Sequence, residues 1–413
     1  LAARINYVAA QFSLDHAMTN ALHTFRLTCN EVMNHRKEPV AQEFLRDLRA
    51  VTDAYACIFS TPVPKELEDI LPKQLKKTSM KREKIVLSRR LRVCFEYADE
   101  EFLYVYPVDE VSDEPWRVRY NVLGVNEEFT EGVTDFWKHA QLNLLDVKQN
   151  EDGTYTPSFI VLEPDYLIDI SSLAECYRDY GSHPANYLMS RLIPIDNARP
   201  LLLGNIANLF LDEWIYAGEE APDYLTCMKK AFKQYPIELA VCEDLMDKKN
   251  EETFFADCQM HFNHIRETVT ETFLAAGYNL DKSDAVLEPS YICEALGVQG
   301  RLDYMQRDMS SFIEMKSGKG DEFSIKGKIE PKENNRVQML LYMAVLEFSM
   351  GIDRRKQHPY LLYTRYPLLY PARASWAQVR RIIALRNRIV AAEYGTQVHN
   401  HPSYTAQLLA QIN

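Results

Sequence analysis

The chain has 413 residues, of which 46% are hydrophobic and 26% are charged, a balance typical of soluble globular proteins. This length is too great for one ordinary hydrophobic core and predicts two or three domains. The formal net charge of −12 argues against a uniformly basic nucleic-acid binder, although it is compatible with a local basic groove.

Cysteine usage and hydropathy indicate the compartment. The eight cysteines are scattered without paired spacing, which predicts reduced thiols in a cytoplasmic protein, in a bacterial cytoplasm or nucleoid. The sequence has no recognisable signal peptide and no apolar run long enough to cross a membrane, so no membrane partner is expected. Because the chain begins at Leu1 rather than at a methionine, we interpret it as a fragment.

Residues 1–84 are predicted to form a helical region. Long helical periodicity indicates two helices, at about 4–34 and 39–57, and Thr61–Pro64 reads as a linker. The pattern then changes, because residues 85–164 contain short strand-like runs and the hairpin-turn signal Asn150–Gly153. This pattern predicts a β-rich subdomain, a small barrel or a curled sheet. Such barrels bind single strands through aromatic and basic side chains, and a purely packing role is the alternative.

From residue 171 onward helical periodicity returns. Helices are predicted near 171–191, 201–217, 221–234, 238–248 and 251–276. The last of these carries Cys258, His261 and His264, a candidate zinc set. Residues 258 and 264 do not share one helical face and no fourth ligand is spaced nearby, so we do not expect zinc there.

The candidate chemistry is concentrated in residues 300–342. The runs on either side of residue 310 predict a β-hairpin, with Asp303 at the end of its first strand. Glu314 and Lys316 are two apart on the second strand and therefore point to the same face. Carboxylate oxygens suit Mg²⁺ or Mn²⁺, and a lysine beside such a metal can position a water or stabilise charge on a phosphate. A solvated hairpin with ordinary surface charges is the alternative interpretation.

Further residues are predicted to flank this site. Gln338 and Tyr342 are four apart at the start of an apolar helix and therefore share one face. Basic residues in the same part of the chain are predicted to contact a phosphate backbone; they are Arg301, Lys319, Lys326, Lys328 and Arg336. After residue 371, Ser375 is placed to cap a last helix that runs through Val390.

Three motifs in this order resemble the PD-(D/E)xK nuclease superfamily. They are Gly300-Arg301-Leu302-Asp303, Ile313-Glu314-Met315-Lys316-Ser317-Gly318-Lys319 and the Gln338-x-x-x-Tyr342 pair. Their spacing is similar to that of the RecB-type branch, and especially to the nuclease domain of the flap-processing helicase–nuclease of eukaryotic DNA replication and its bacterial relatives. Residues 162–168 and 171–174 look like the start of that domain, so the resemblance covers roughly residues 160–370.

The resemblance implies a fold and a domain organisation. The fold class expected is α/β, with a PD-(D/E)xK core in which helices flank a mixed central sheet. The implied boundaries are a helical region at 1–84, an OB-like barrel at 85–164, the nuclease domain at 165–371, and a C-terminal helix and tail at 372–413. The relatives continue into a helicase domain, which is the expected partner region C-terminal to this fragment. The chain has no phosphate-loop motif, so no ATP site is expected.

The resemblance also implies residue roles and a substrate. Asp303 and Glu314, with the main-chain carbonyl of Met315, would hold Mg²⁺ or Mn²⁺, and Lys316 would position or activate water. Glu288 would add a ligand or a general base. Gln338 would orient the lysine or the phosphate, and Tyr342 would support the strand backbone. The substrate implied is DNA as a single strand, a flap or a free end, cut at its phosphodiester bonds.

The chain departs from the family pattern at two points. Asn208 stands where relatives carry a metal-binding histidine, and Asp212 or Glu213, one turn later, could substitute for it. Many relatives also hold an iron–sulfur cluster with four cysteines. Cys176 could supply the first, but no cysteine follows Cys293, so no cluster is expected. Two alternatives to a nuclease therefore remain: an inactive nuclease-fold DNA-binding module, and a module that docks a helicase.

Overall fold

A computed structural model describes residues 2–33, 38, 40–73, 87–178, 181–192, 199–218, 220–275, 277–278, 280–323, 328–373 and 375–399. It is a mixed α/β protein. The residues group into two compact units. The first comprises residues 1–166, 295–297 and the helical residues from Ile383 onward, and the second comprises residues 167–294 and 298–382. Within the described ranges, no helix combines the length and the apolar composition needed to span a membrane.

The first unit begins with helices and continues into a sheet. Its helices are α1 (Ala2–Gln11), α2 (His16–Met33), α3 (Ala41–Phe59) and α4 (Lys65–Glu68). Its strands are β1 (Leu87–Ala98), β2 (Phe102–Pro107), β3 (Trp116–Arg119), β4 (Gln141–Gln149), β5 (Tyr155–Thr156) and β6 (Phe159–Leu162). The predicted continuous helix at 4–34 is wrong. The chain breaks after α1, where Ser13 has a φ of 51° and Leu14 turns into a small apolar cluster with Ala9 and Ala54.

Five of the six strands close on themselves, and β6 pairs with β4 outside that circuit. Neighbouring strands follow the order β1-β2-β3-β5-β4-β6, and β1 also pairs with β4 over seven residue pairs, from Leu87↔Lys148 to Cys94↔Gln141. The pairing circuit β1-β2-β3-β5-β4-β1 is therefore complete, and β3 and β5 run parallel. Inward-facing side chains such as Leu103, Val118 and Leu144 are fully buried, which gives this unit its own apolar core.

The second unit contains the remaining elements. Its helices are α5 (Ile170–Ala174), α6 (Pro184–Leu192), α7 (Arg199–Ile215), α8 (Tyr224–Gln234), α9 (Pro236–Val241), α10 (Lys248–Glu267), α11 (Glu333–Met350) and the start of α12 (Trp376–His399). Its strands are β7 (Ile168–Asp169), β8 (Tyr177–Arg178), β9 (Gly181–Ser182), β10 (Ala285–Leu287), β11 (Ser290–Cys293), β12 (Val298–Arg301), β13 (Tyr304–Gln306), β14 (Ser311–Lys316), β15 (Asp321–Phe323), β16 (Lys328–Glu330), β17 (His358–Tyr363) and β18 (Leu368–Pro371). The single helix predicted at 171–191 is wrong, because the β8–β9 hairpin separates α5 from α6.

A five-stranded mixed sheet organises this unit. Its order is β10-β13-β14-β17-β18, and β14 lies at the centre, antiparallel to β13 and parallel to β17. One face of the sheet packs on a core to which α7, α8 and α10 contribute, while α11 packs against β17. The predicted hairpin on either side of residue 310 is confirmed by the β13–β14 pairing. The central position of β14 holds residues 311–316 in a fixed register.

Candidate active site

Asp303 lies where a long hairpin changes from one sheet to another. β10 pairs with β13 in the five-stranded sheet, whereas β11 pairs with β12 in a three-stranded sheet. Glu288, which has a φ of 49°, and Pro289 interrupt one arm at this point. The Glu288 N–H donates to the Asp303 carbonyl at 3.1 Å, and the Leu302 N–H donates to the Pro289 carbonyl at 3.1 Å. Asp303 therefore occupies a fixed bend between β12 and β13. The prediction had placed it at the end of a single strand.

Strand β14 presents Glu314 and Lys316 on one face. Ile313 and Met315 alternate with them and are buried in the core, as the period of two predicts. The Lys316 Nζ donates to Glu314 Oε1 at 2.9 Å. The Met315 N–H donates to Asp303 Oδ2 at 2.6 Å, which ties the bend to the strand. These contacts bring both carboxylates near one ammonium group.

Helix α11 supplies two side chains to this group. The Gln338 amide oxygen accepts from Lys316 Nζ at 2.8 Å, and its Nε2 donates to Glu314 Oε1 at 2.6 Å. The Tyr342 hydroxyl donates to the Arg301 carbonyl at 2.6 Å, at the end of β12. The spacing of four residues places both side chains on the same helical face. We call Asp303, Glu314, Lys316 and Gln338 the carboxylate–lysine centre.

Ser171 joins the centre without having been predicted as a site residue. Its hydroxyl accepts a hydrogen bond from Gln338 Nε2 at 3.2 Å. Ser171 lies in α5, whose N-terminus is capped by the Asp169 side chain through the Ser172 N–H. The Ser-Ser-Leu-Ala stretch was recognisable in the sequence, but its link to Gln338 spans 167 residues and depends on tertiary structure.

Burial and like charge disfavour ionisation of the carboxyl groups at the centre. Burial, followed by the neighbouring Asp303, raises the pKa of Glu314, and Lys316 offsets this only in part. Burial also raises the pKa of Asp303. Burial alone would lower the pKa of Lys316, but the Glu314 and Asp303 carboxylates outweigh that effect and raise it. Lys316 therefore stays protonated at neutral pH, while the two buried carboxyl groups compete for its single positive charge.

Helix α7 runs close to the end of β14. A Cβ at Gly204 would come within 3.3 Å of Ser317 Oγ, so only a residue without a side chain fits without displacement. Asn208, one turn later, has a buried Oδ1 atom with no hydrogen-bond partner in the part of the chain that the structure describes. The amide oxygen therefore retains its full capacity to accept.

The two candidates proposed to replace the missing histidine differ in their surroundings. Glu213 forms an ion pair with Lys230 of α8, at 2.5 Å. The pKa of Asp212 is raised to about 6, first by burial and then by Glu288 and Asp303. The carboxylate of Asp212 therefore interacts electrostatically with Asp303 of the carboxylate–lysine centre, whereas Glu213 forms its ion pair with Lys230.

The remaining predicted residues differ in their exposure, their partners and the part of them that the structure describes. Glu288 forms an ion pair with Arg301 at 3.1 Å, and the side chains are 40% and 58% exposed. Lys319 is exposed in the loop after β14. Lys326 lies outside the described residues, and only the main chain of Lys328 is described. Arg336 lies on α11 two residues before Gln338, which places it on a different helical face from the centre.

The residues present fit a divalent cation. Glu314 Oε2 is buried and has no hydrogen-bond partner among the described residues, and both carboxylates have raised pKa values. A hard cation would satisfy both conditions, with main-chain oxygen completing the set. Across the described ranges, no group of three or more His, Cys, Asp and Glu side chains is arranged to hold a metal ion. The side-chain donors of the centre are therefore a carboxylate pair.

No protein-family model matches the chain, and a search of curated proteins finds no match.

Proposed function

We propose that the chain is a metal-dependent DNA nuclease that hydrolyses phosphodiester bonds. The observation that carries the proposal is the position of Lys316, which is held between Glu314 at 2.9 Å and Gln338 at 2.8 Å. A protonated lysine beside two carboxylates, one of which has a buried oxygen without a partner, is suited to an anionic reaction centre that also binds a cation.

The chain's own residues divide the work in this proposal. Asp303 and Glu314 would hold Mg²⁺ or Mn²⁺, and when bound the cation would polarise a phosphoryl oxygen and lower the pKa of water at the centre. Lys316, which donates to both Glu314 and Gln338, would position or activate the attacking water, or stabilise charge on the phosphate. Gln338 fixes the lysine through its amide oxygen, and Tyr342 holds the carbonyl of Arg301, two residues before Asp303.

The topology supports the fold named in the sequence resemblance. We propose that the five-stranded sheet, with β14 at its centre and α7 and α11 supplying further residues, is a PD-(D/E)xK core. We also propose that the closed circuit β1-β2-β3-β5-β4 is an OB-like barrel, because it combines closure of five strands with one parallel pair. The substrate class proposed is DNA with a single-stranded segment, a flap or a free end, and a helicase domain is the proposed partner.

A cleavage assay tests the proposal. End-labelled single-stranded and flap DNA is incubated with Mg²⁺, Mn²⁺ or chelator. We expect metal-dependent cutting that falls by about 10²- to 10³-fold in Lys316→Met, because one charge that stabilises the transition state is removed. Lys356→Met is the matched control, since Lys356 is exposed on a short 3₁₀ turn. Equal rates in Lys316→Met and the wild type would remove Lys316 from the mechanism.

One observation favours a second candidate, a nuclease-fold DNA-binding module without catalysis. The side-chain donor set is only a carboxylate pair, and Asn208 supplies an uncharged amide where a charged or imidazole ligand is expected. DNA binding in chelator, together with no cutting in either metal, would support this candidate over the nuclease.

A further inference from the structure

A cavity lies beside α11, on a helical face different from the one that serves the carboxylate–lysine centre. Its volume is about 270 Å³, and its walls come from α11, β17, β18, the end of β16 and the residues that follow β16 and β18. Arg336 and Leu340 of α11 line it. These residues are four apart and share one helical face, whereas Gln338 and Tyr342 occupy the face directed to the centre. The cavity and the centre also draw on adjacent strands, because Leu361 lies directly across the β14–β17 ladder from Glu314.

The floor of the cavity is apolar and fixed. Leu340 and Leu361 are 4% and 1% exposed, and Leu361 lies directly across the β17–β18 ladder from Tyr370. The Tyr370 ring packs edge-on against Tyr363, with 5.7 Å between centroids and an angle of 85°. The Tyr363 hydroxyl in turn accepts from Asn335 Nδ2 at 2.7 Å. A floor built in this way suits a flat, apolar group such as an aromatic ring.

The rim of the cavity carries more positive than negative charge. Arg336 and Arg373 are both exposed at its edge, and Glu330 is the acidic residue there. Arg336 is 3.8 Å from Glu333, with both side chains about half exposed, a pair that contributes little. Two guanidinium groups beside an apolar floor can bind a phosphate while a ring rests below.

The size of the cavity limits the ligand. A volume of about 270 Å³ lies just below the range of about 300–1,000 Å³ typical of pockets for drug-sized ligands, so the cavity has room for no more than one nucleotide. Two alternatives have less support. Inorganic phosphate would make no contact with the apolar floor. An uncharged ring would place no anionic group at the two arginines.

We propose that this cavity binds one deoxynucleoside monophosphate unit, with its base on the Leu340–Leu361–Tyr370 floor and its phosphate at Arg336 and Arg373. The choice of a nucleotide as the ligand rests on the proposed nuclease function. The unit has two possible sources, a free mononucleotide or the terminal nucleotide of a DNA strand whose phosphodiester lies at the carboxylate–lysine centre.

Titration calorimetry in chelator tests the proposal, using the full chain with Lys316→Met so that no strand is cut. The probes are deoxyadenosine 5′-monophosphate, deoxyadenosine and inorganic phosphate. We expect the nucleotide to bind more tightly than either half, and Arg336→Glu with Arg373→Glu to weaken it by about tenfold or more. The control pair Lys229→Glu with Lys233→Glu changes the same amount of charge at exposed positions of α8 and should have less than about a twofold effect.

Three results would overturn the proposal. They are an absence of saturable nucleotide binding, an equal effect of the two double variants, and inorganic phosphate that binds as tightly as the nucleotide. A 5′-phosphorylated oligonucleotide separates the sources. If the arginine variant also weakens the oligonucleotide, the ligand is a strand terminus, and if only the mononucleotide is weakened, the ligand is free.

The cleavage assay of the otherwise wild-type chain keeps the two proposals apart. Cutting without nucleotide binding would support the proposed nuclease function and contradict the proposed nucleotide site. Nucleotide binding that depends on the two arginines, without cutting, would support the nucleotide site and contradict the nuclease function.

Discussion

Asp212 is a residue whose ionised form is disfavoured in the folded protein. Burial and the nearby Glu288 and Asp303 raise its pKa from 3.8 to about 6, so the folded protein holds the proton more tightly than the unfolded chain does. Its contribution to stability is therefore complete below pH 3.8 and is lost as the pH rises through about 6. At neutral pH the ionised Asp212 side chain therefore lowers the free energy of unfolding, which an uncharged side chain at this position would not do.

We expect Asp212→Asn to raise the free energy of unfolding without metal at pH 7 by on the order of 1 kcal/mol, a value reduced for partial exposure to solvent. At pH 4 the difference should be small. Urea unfolding at the two pH values in chelator measures both. Glu252→Gln is the control, because Glu252 is an exposed carboxylate on α10. The same pH slope in Asp212→Asn and the wild type would contradict the argument.

The same residue carries a second expectation. Its carboxylate adds negative charge near a centre that fits a cation, so Asp212→Asn should reduce the stabilisation that Mg²⁺ or Mn²⁺ gives in a thermal unfolding assay. Metal stabilisation that is unchanged in Asp212→Asn but lost in Glu314→Gln would restrict cation binding to the centre itself.

The sequence predicted which side chains meet at the centre wherever local periodicity decides. The period of two places Glu314 beside Lys316, and the spacing of four places Gln338 with Tyr342. Ser171 and the distinction between Asp212 and Glu213 depend on where α5 and α7 pack, which is a tertiary property. Their roles in catalysis stay predictions.

Among the elements, β12 and α11 meet at a point with no spare room. A Cβ at Gly300 would lie 3.0 Å from Tyr342 Oη and 3.1 Å from Ile170 Cβ. Gly300→Ala should therefore displace the tyrosine from the Arg301 carbonyl, cost about 1–3 kcal/mol of stability and lower the cleavage rate. Chemical denaturation and the cleavage assay measure the two effects.

Gly318 provides the matched control for this substitution. It follows β14 by two residues, and a Cβ there meets nothing within 4 Å. Gly318→Ala should therefore leave stability within about 0.5 kcal/mol of the wild type. If both alanine variants behave alike, the close approach of β12 and α11 is not what holds the Asp303 bend in place.

Elements predicted from the sequence succeeded where strong periodicity coincided with clear breaks. The helix predicted at 201–217 corresponds to α7, and the strand-like runs predicted within 85–164 correspond to β1–β6. The α5–α6 region failed because β8 and β9 are two-residue strands that exist only as partners of each other. β18 was missed for a related reason, since its residues 368–371 gain strand structure by pairing with β17.

At the scale of the whole molecule, chain order and spatial grouping differ. The first unit takes residues 295–297 and the helical residues from Ile383, both far along the chain. Arg386 is fully buried there and donates to the carbonyls of Leu162, Glu163, Tyr166 and Gly297. One guanidinium thus satisfies four main-chain acceptors in two separate stretches of the unit, residues 162–166 and Gly297.

We expect Arg386→Met to destabilise the first unit by more than about 3 kcal/mol, because several buried carbonyls lose their donor at once. Arg386→Lys should be intermediate, since it keeps the charge with fewer donors. Arg381→Met, at an exposed position of the same helix, is the control. In urea unfolding, we expect Arg386→Met to be the least stable variant, Arg386→Lys to be intermediate and Arg381→Met to be the most stable. Another order would contradict this role of Arg386.

The same arginine sets an order of events during synthesis. Arg386 emerges 224 residues after Leu162, so at about 5–20 residues per second the β1–β6 strands wait about 10–45 s for it on the ribosome. Throughout that interval the carbonyls of the segment after β6 lack their final donor. A nascent chain that stalls before residue 386 would contain the β1–β6 strands without the hydrogen bonds that Arg386 donates. Completion of the first unit therefore depends on α12 as well as on β1–β6.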